Sequence, residues 1–141
     1  MIHGSCLCGK VRYQLSGRAQ FINHCHCSMC RKTHGAAFGS FLHADGRAFA
    51  WLEGGTEVQR YESSPGTLRA FCRNCGSGLP VLEDDGGHVT IPAGTLDTDA
   101  IFGGLTVVHG GGNRALAGGT IGGDRITVTG GGGARSLLVV H

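Results

Sequence analysis

Thr67-Leu68-Arg69-Ala70-Phe71-Cys72-Arg73-Asn74-Cys75-Gly76 reads as a strand that runs straight into a Cys-x-x-Cys-Gly knuckle. Two thiols on one tight turn fill half the corners of a tetrahedral metal site, so the stretch calls for a second pair elsewhere in the chain. Gly4-Ser5-Cys6-Leu7-Cys8-Gly9-Lys10 offers one, a Cys-x-Cys followed at once by glycine. Glycine there lets the backbone take a positive φ and turn its N–H groups toward the sulfurs. Cys6, Cys8, Cys72 and Cys75 together close a tetrahedron, and a metal held by them ties the N-terminal strand to a distant part of the chain. A redox pair at Cys72 and Cys75 would leave Cys6 and Cys8 without a partner.

The three remaining cysteines fall in Asn23-His24-Cys25-His26-Cys27-Ser28-Met29-Cys30-Arg31-Lys32. Sulfurs at i, i+2 and i+5 converge only where the backbone curls around a centre, and a soft tetrahedral ion such as Zn²⁺ is the usual centre. Three thiolates leave one position open, which is what distinguishes a zinc site that does chemistry from one that staples a fold. Alternatively His24, His26 or His34 closes the site structurally. Ser28 is placed to cap a short helix through Met29, Cys30, Arg31 and Lys32, aiming its N–H groups at the thiolates. Arg31 and Lys32 can offset the thiolate charge or attract carboxylates, or form a solvated basic face. His24 and His26 can relay a proton or orient a ligand.

The chain has 141 residues, enough for one domain with one core. Seven cysteines is an odd number, and the opening Met1-Ile2-His3-Gly4-Ser5-Cys6 carries no apolar run. The expectation is therefore a cytoplasmic protein whose cysteines ligate metal, two zinc ions in all, rather than form disulfides. No stretch approaches the ~20 apolar residues of a membrane span. The formal net charge is +2, and lysine occurs only at Lys10 and Lys32, so no basic stripe marks a nucleic-acid partner. Oligomeric state is not legible.

Short strands with turns follow one another along the chain. Val11, Tyr13 and Leu15 alternate with Arg12 and Gln14, and Ala19 to Asn23 leads into the cysteine triplet. Ala36 to Leu42 suits a buried strand beside the metal. Phe49-Ala50-Trp51-Leu52-Glu53 and Glu57-Val58-Gln59-Arg60-Tyr61 read as strands joined by a Gly54-Gly55 turn. Ser63-Ser64-Pro65-Gly66 and Asp84-Asp85-Gly86-Gly87 are turns, and Leu79 to Leu82 and His88 to Ile91 are strands. With no long helical period, the fold class is all-β.

These residues resemble the glutathione-dependent formaldehyde-activating enzyme and centromere protein V family. The resemblance rests on Gly4 to Val11, Cys25 to Lys32, Gly35-Ala36-Ala37-Phe38, Ser63 to Gly66, Arg69 to Ser77 and Pro92-Ala93-Gly94-Thr95-Leu96-Asp97. It implies a zinc-stapled β-tent of short, coiled antiparallel sheets, with structural zinc on Cys6, Cys8, Cys72 and Cys75 and a second zinc on Cys25, Cys27 and Cys30. It also implies a carbon–sulfur lyase that joins glutathione, or a related thiol, to formaldehyde or another small electrophile, giving S-hydroxymethylglutathione or its analogue. The centromere protein V branch implies the alternative, a non-catalytic zinc-binding interaction module.

The resemblance covers residues 1–97 and stops there. Residues 98–141 hold 13 of the 27 glycines and no proline, lysine or glutamate. Such a bias is what a shifted reading frame over GC-rich DNA produces. It also fits a β extension, with strands at Leu105 to Val108, Arg125 to Thr129 and Ser136 to Val140 separated by glycine turns.

Overall fold

The structure, a computed structural model, describes residues 1–97 throughout and, beyond them, the strand backbones of 105–111, 114–122 and 125–128. Among these residues the chain is all-β apart from one seven-residue helix and three 3-10 turns. The first sheet joins β1 (Ile2–Ser5), β2 (Arg12–Leu15) and β5 (Phe49–Glu53) in that order. The second is built on β3 (Ala19–Cys25), β4 (Gly39–Asp45), β9 (Val81–Leu82) and β10 (His88–Pro92), in the order β3-β4-β10-β9. The third joins β6 (Val58–Ser64), β7 (Thr67–Cys72) and β8 (Gly78–Leu79). Beyond residue 97, β11 (Leu105–Gly111), β12 (Arg114–Gly122) and β13 (Arg125–Val128) extend the second sheet past β3. β11 lies parallel to β3, whereas all other pairings are antiparallel. The expected strand from Ser136 to Val140 lies outside the described residues.

Two cores result. Tyr13 and Leu15 of the first sheet meet Ile22, Leu42, Ala44, Val89 and Ile91 of the second. Cys6 and Val11 meet Ala70, Cys72 and Leu79 of the third sheet, so two of the sulfurs are themselves core atoms. Trp51 packs on both clusters and stands edge-on to Tyr13 and Phe49. The period-2 reading of β2 holds, with Val11, Tyr13 and Leu15 fully buried.

Four local expectations change. Phe49–Glu53 and Val58–Ser64 do not form a hairpin but lie in different sheets. Gly54, in the left-handed region at φ 68, sits so close to the Lys10 carbonyl that a Cβ has no room there; the chain is pinned to the first knuckle and redirected. The apparent strand from Leu79 to Leu82 divides at Pro80, between β8 in the third sheet and β9 in the second. Proline has no N–H for the ladder, so it marks the crossing. Ala36 and Ala37 are exposed loop residues, and the strand begins at Gly39. Ala19 to Cys25 is a full strand between two neighbours, although only Ile22 in it is buried and its alternation is weak.

Candidate functional site

The sulfurs of Cys6, Cys8, Cys72 and Cys75 all lie within 4.8 Å of one another. Cys6 and Cys8 are 3.5 Å apart, and Cys8 and Cys72 4.0 Å. Metal–sulfur bonds of about 2.3 Å in a tetrahedron space the sulfurs by roughly 3.8 Å, so the group fits a soft four-coordinate ion. The two knuckles are built alike. Gly9 and Gly76 take φ values of 73° and 75°, and their N–H groups donate to the carbonyls of Cys6 and Cys72 at 2.9 and 2.8 Å. The Val11 N–H donates to the Cys6 sulfur at 3.3 Å.

Two contacts between the knuckles were not legible as such in the sequence. The Leu7 N–H donates to Ser77 Oγ at 2.9 Å, and Lys10 Nζ donates to Asn74 Oδ1 at 3.2 Å. The hydroxyl and N–H of Ser77 hold the Cys75 thiol down at about 5, whereas burial pushes Cys72 up to about 11. Metal binding releases whatever protons such thiols still carry.

Cys25 ends β3, Cys27 immediately precedes the helix α1 (Ser28–His34), and Cys30 lies in its first turn. Their sulfurs also lie within 4.8 Å of one another. Cys27, not Ser28, is the N-cap, its sulfur accepting the Cys30 N–H at 3.4 Å. Cys27, in extended conformation two residues beyond the end of β3, occupies the capping place, and Ser28 becomes the first residue of the helix. That N–H bond lowers the Cys27 thiol, while burial, with Cys25 and Cys27 close by, pushes Cys30 up to about 12. At the other end Gly35, φ 59, closes the helix with its N–H on the Arg31 carbonyl.

Among the described residues, no histidine or carboxylate joins this three-sulfur group. His24 Nδ1 pairs with Ser40 Oγ at 2.7 Å, and the rings of His24 and His26 both pack on Phe38. His34 stands edge-on to Phe41 and lies over Gly39, where a Cβ would strike both rings. Arg31 and Lys32 are exposed, on the side of α1 with Gly35, Ala36 and Ala37.

Beside the triplet lies a cleft of about 260 Å³ between the second and third sheets. Phe41, Leu68, Ala70, Leu79, Val81 and Pro92 give it apolar walls, and Thr33, His34, Thr90, Glu83 and Arg69 bring polar groups to it. None of the three sulfurs lines the cleft. Arg69 connects the two, for it lines the cleft and its Nη1 donates to the Cys30 sulfur at 3.6 Å. Ser63 Oγ, which itself donates to the Thr67 carbonyl, receives Arg69 Nε at 3.2 Å and fixes the guanidinium. Sequence reasoning placed Arg69 in a strand and at the start of a motif that carries the family resemblance, with no role of its own. Its one signal was an alternation that brings Arg69 and Phe71 to the face opposite Ala70 and Cys72.

Residues 1–106 match the family described as "Glutathione-dependent formaldehyde-activating enzyme". A Halomonas elongata protein named "Putative glutathione-dependent formaldehyde-activating enzyme" is 33% identical over 108 residues, covering 70% of this chain and 68% of its own length. A Schizosaccharomyces pombe protein named as an uncharacterized lyase is 30% identical over 76 residues; the match takes in 54% of this chain and 53% of that relative. The crystal structure of a Rhodobacter sphaeroides protein superimposes with a TM-score of 0.55 at 21% identity, over 67% of this chain and 87% of that one, a likeness of fold alone. With the family match running from Met1 to Thr106 and taking in both cysteine groups, the chain belongs to the glutathione-dependent formaldehyde-activating enzyme family.

Proposed function

We propose that the chain is a zinc-dependent carbon–sulfur lyase whose reactive centre is Cys25, Cys27 and Cys30, and whose structural centre is Cys6, Cys8, Cys72 and Cys75. The observation that carries this reading is the three-sulfur group, joined through Arg69 to a cleft and lacking, among the described residues, a fourth protein ligand. Zinc bound there supplies Lewis acidity that keeps an added sulfur as the thiolate at neutral pH. Three protein thiolates make the centre electron-rich, which favours a sulfur nucleophile over an activated water.

The residues around the group act on the thiol and on its partner. Cys25 and Cys27 are half-buried and reachable, whereas Cys30 is buried and held by Arg69. Burial and the nearby Arg69 lower the His34 pKa, leaving a neutral imidazole at the cleft wall. The glutathione sulfur forms a bond to the carbonyl carbon of formaldehyde or another small aldehyde. The C=O π pair moves to oxygen, and that oxygen takes up a proton equivalent to the one the thiol gave up. The product is a hydroxymethyl thioether, and the reverse reaction breaks the same carbon–sulfur bond.

Cys27→Ser removes one sulfur from the reactive group and none from the structural one. It is expected to lower glutathione-dependent formaldehyde turnover at least about 100-fold, since loss of a mere supporting residue at a metal site costs 10–100-fold. Turnover equal to that of the unsubstituted protein would refute the assignment.

A further inference from the structure

Within residues 1–97 every lysine and arginine is exposed except one: Lys10, Arg12, Arg18, Arg31, Lys32, Arg47, Arg60 and Arg73 point to solvent, and Arg69 is half-buried. A cation drawn partly out of water is normally matched by a carboxylate. Arg47 pairs with Asp45 and Arg73 with Glu57, but among the described residues no carboxylate forms an ion pair with Arg69. Its Nε is taken by Ser63 Oγ and one Nη1 proton by the Cys30 sulfur. A guanidinium carries five donors in a planar fork, and these two bonds use only two of them in a residue that lines the cleft. Arg69 is the only lysine or arginine in that lining, Glu83 is its only carboxylate, and six of the other lining residues are apolar.

We infer that Arg69 is a specificity-determining residue that binds a carboxylate of the thiol substrate, selecting carboxylate-bearing thiols over neutral ones. The inference rests on the proposed reaction and adds the substrate class. One residue both touches the reactive group through its guanidinium and lines the cleft, so a ligand whose sulfur joins Cys25, Cys27 and Cys30 can bring its anionic arm to the fork. The apolar walls strengthen that charge-assisted pair by keeping water from it. Arg31 and Lys32, exposed on another side of the helix, do not line this cleft.

A matched pair of small thiols tests this without any substitution. Zinc-loaded protein is titrated calorimetrically with 3-mercaptopropionate and with 3-mercaptopropionamide, which differ only in the carboxylate. The carboxylate form is expected to bind roughly 10- to 100-fold more tightly, the effect of one charge-assisted hydrogen-bonded pair. Arg69→Gln should erase the difference by weakening only the carboxylate form, and Arg69→Lys should keep part of it. Zinc content and melting temperature, read on each variant, separate loss of recognition from loss of structure. Equal affinities for the two thiols in the unsubstituted protein would overturn the role of Arg69 and leave the reaction standing. A preference that persists in folded, zinc-replete Arg69→Gln would do the same. No binding of either small thiol by a protein that still binds glutathione would overturn the role of Arg69 alone, and no binding of glutathione either would overturn both.

Discussion

The four-sulfur and three-sulfur groups are made of the same residue type, yet they occupy opposite positions in the architecture. Cys6 and Cys8 reach across 64 or more residues of sequence to Cys72 and Cys75, and Cys6 and Cys72 are buried among Val11, Ala70 and Leu79. The group is thus part of the contact between the first and third sheets. Cys25, Cys27 and Cys30 span six residues at one strand end and one helical turn, and only Cys30 is buried. Among the described residues, the hydrogen bond that reaches these sulfurs from a distant part of the chain is that of Arg69 to Cys30. A long-range group has its geometry fixed by the fold that it closes, whereas a local one can leave a coordination position to an outside ligand.

The largest expected effect separates the two groups by stability. Cys72→Ser should abolish cooperative thermal unfolding, because a structural zinc site is worth on the order of 10 kcal/mol and a domain's whole stability is about 5–15 kcal/mol. Cys27→Ser should lose one metal ion of two by native mass spectrometry and lower the melting temperature by only about 5 °C or less. Scanning calorimetry on both variants decides, and equal losses would dissolve the distinction.

Backbone packing sharpens the same contrast at smaller cost. Gly54→Ala forces a side chain into the left-handed region and against the Lys10 carbonyl behind the first knuckle. It should cost about 2–4 kcal/mol in chemical denaturation. Gly39→Ala, beside the triplet, meets only the rings of His34 and Phe41 and should cost about 1–2 kcal/mol, with a larger effect on thiol binding than on stability. The reverse order of costs would contradict the picture of a pinned knuckle and a yielding cleft wall.

The smallest effect is a pH dependence confined to the sheet that carries the triplet. His43 Nδ1 accepts from His88 Nε2 at 2.9 Å, His43 Nε2 donates to Asn23 Oδ1 at 3.0 Å, and its ring stacks on Phe21. Burial, with His88 adjoining, lowers His43 from the usual 6.5 to about 4. Between those values the unfolded chain binds more protons than the folded one, so stability is intact above 6.5 and is lost as pH falls toward 4. The loss should be about 1–2 kcal/mol, the full shift being screened by partial exposure. His43→Phe should flatten this part of the pH profile, and an unchanged profile would assign the acid sensitivity elsewhere.

Much of this was legible in the cysteine spacing. Two knuckles with glycine after each second cysteine marked four sulfurs that belong together, and both glycines do take positive φ. The alternation at Val11, Tyr13 and Leu15 marked β2 because one face of it is wholly buried. Strand β3 was weakly marked because its polar residues are satisfied across the sheet, Asn23 by His43 and His24 by Ser40, and do not alternate against solvent. Sheet membership on either side of Gly54 and of Pro80 depends on contacts distant in sequence, which local pattern does not carry. Arg69 was illegible for the same reason: its meaning comes from Cys30, 39 residues away.

The most direct test is a calorimetric titration of the zinc-loaded protein with glutathione, run in buffers of different ionisation enthalpy and repeated with S-methylglutathione. If the three-sulfur group accepts an outside sulfur, glutathione binds once per chain with release of a proton, and neither S-methylglutathione nor the Cys27→Ser protein reproduces that signal. Binding of both compounds with no proton released, or glutathione binding unaltered in Cys27→Ser, would contradict it.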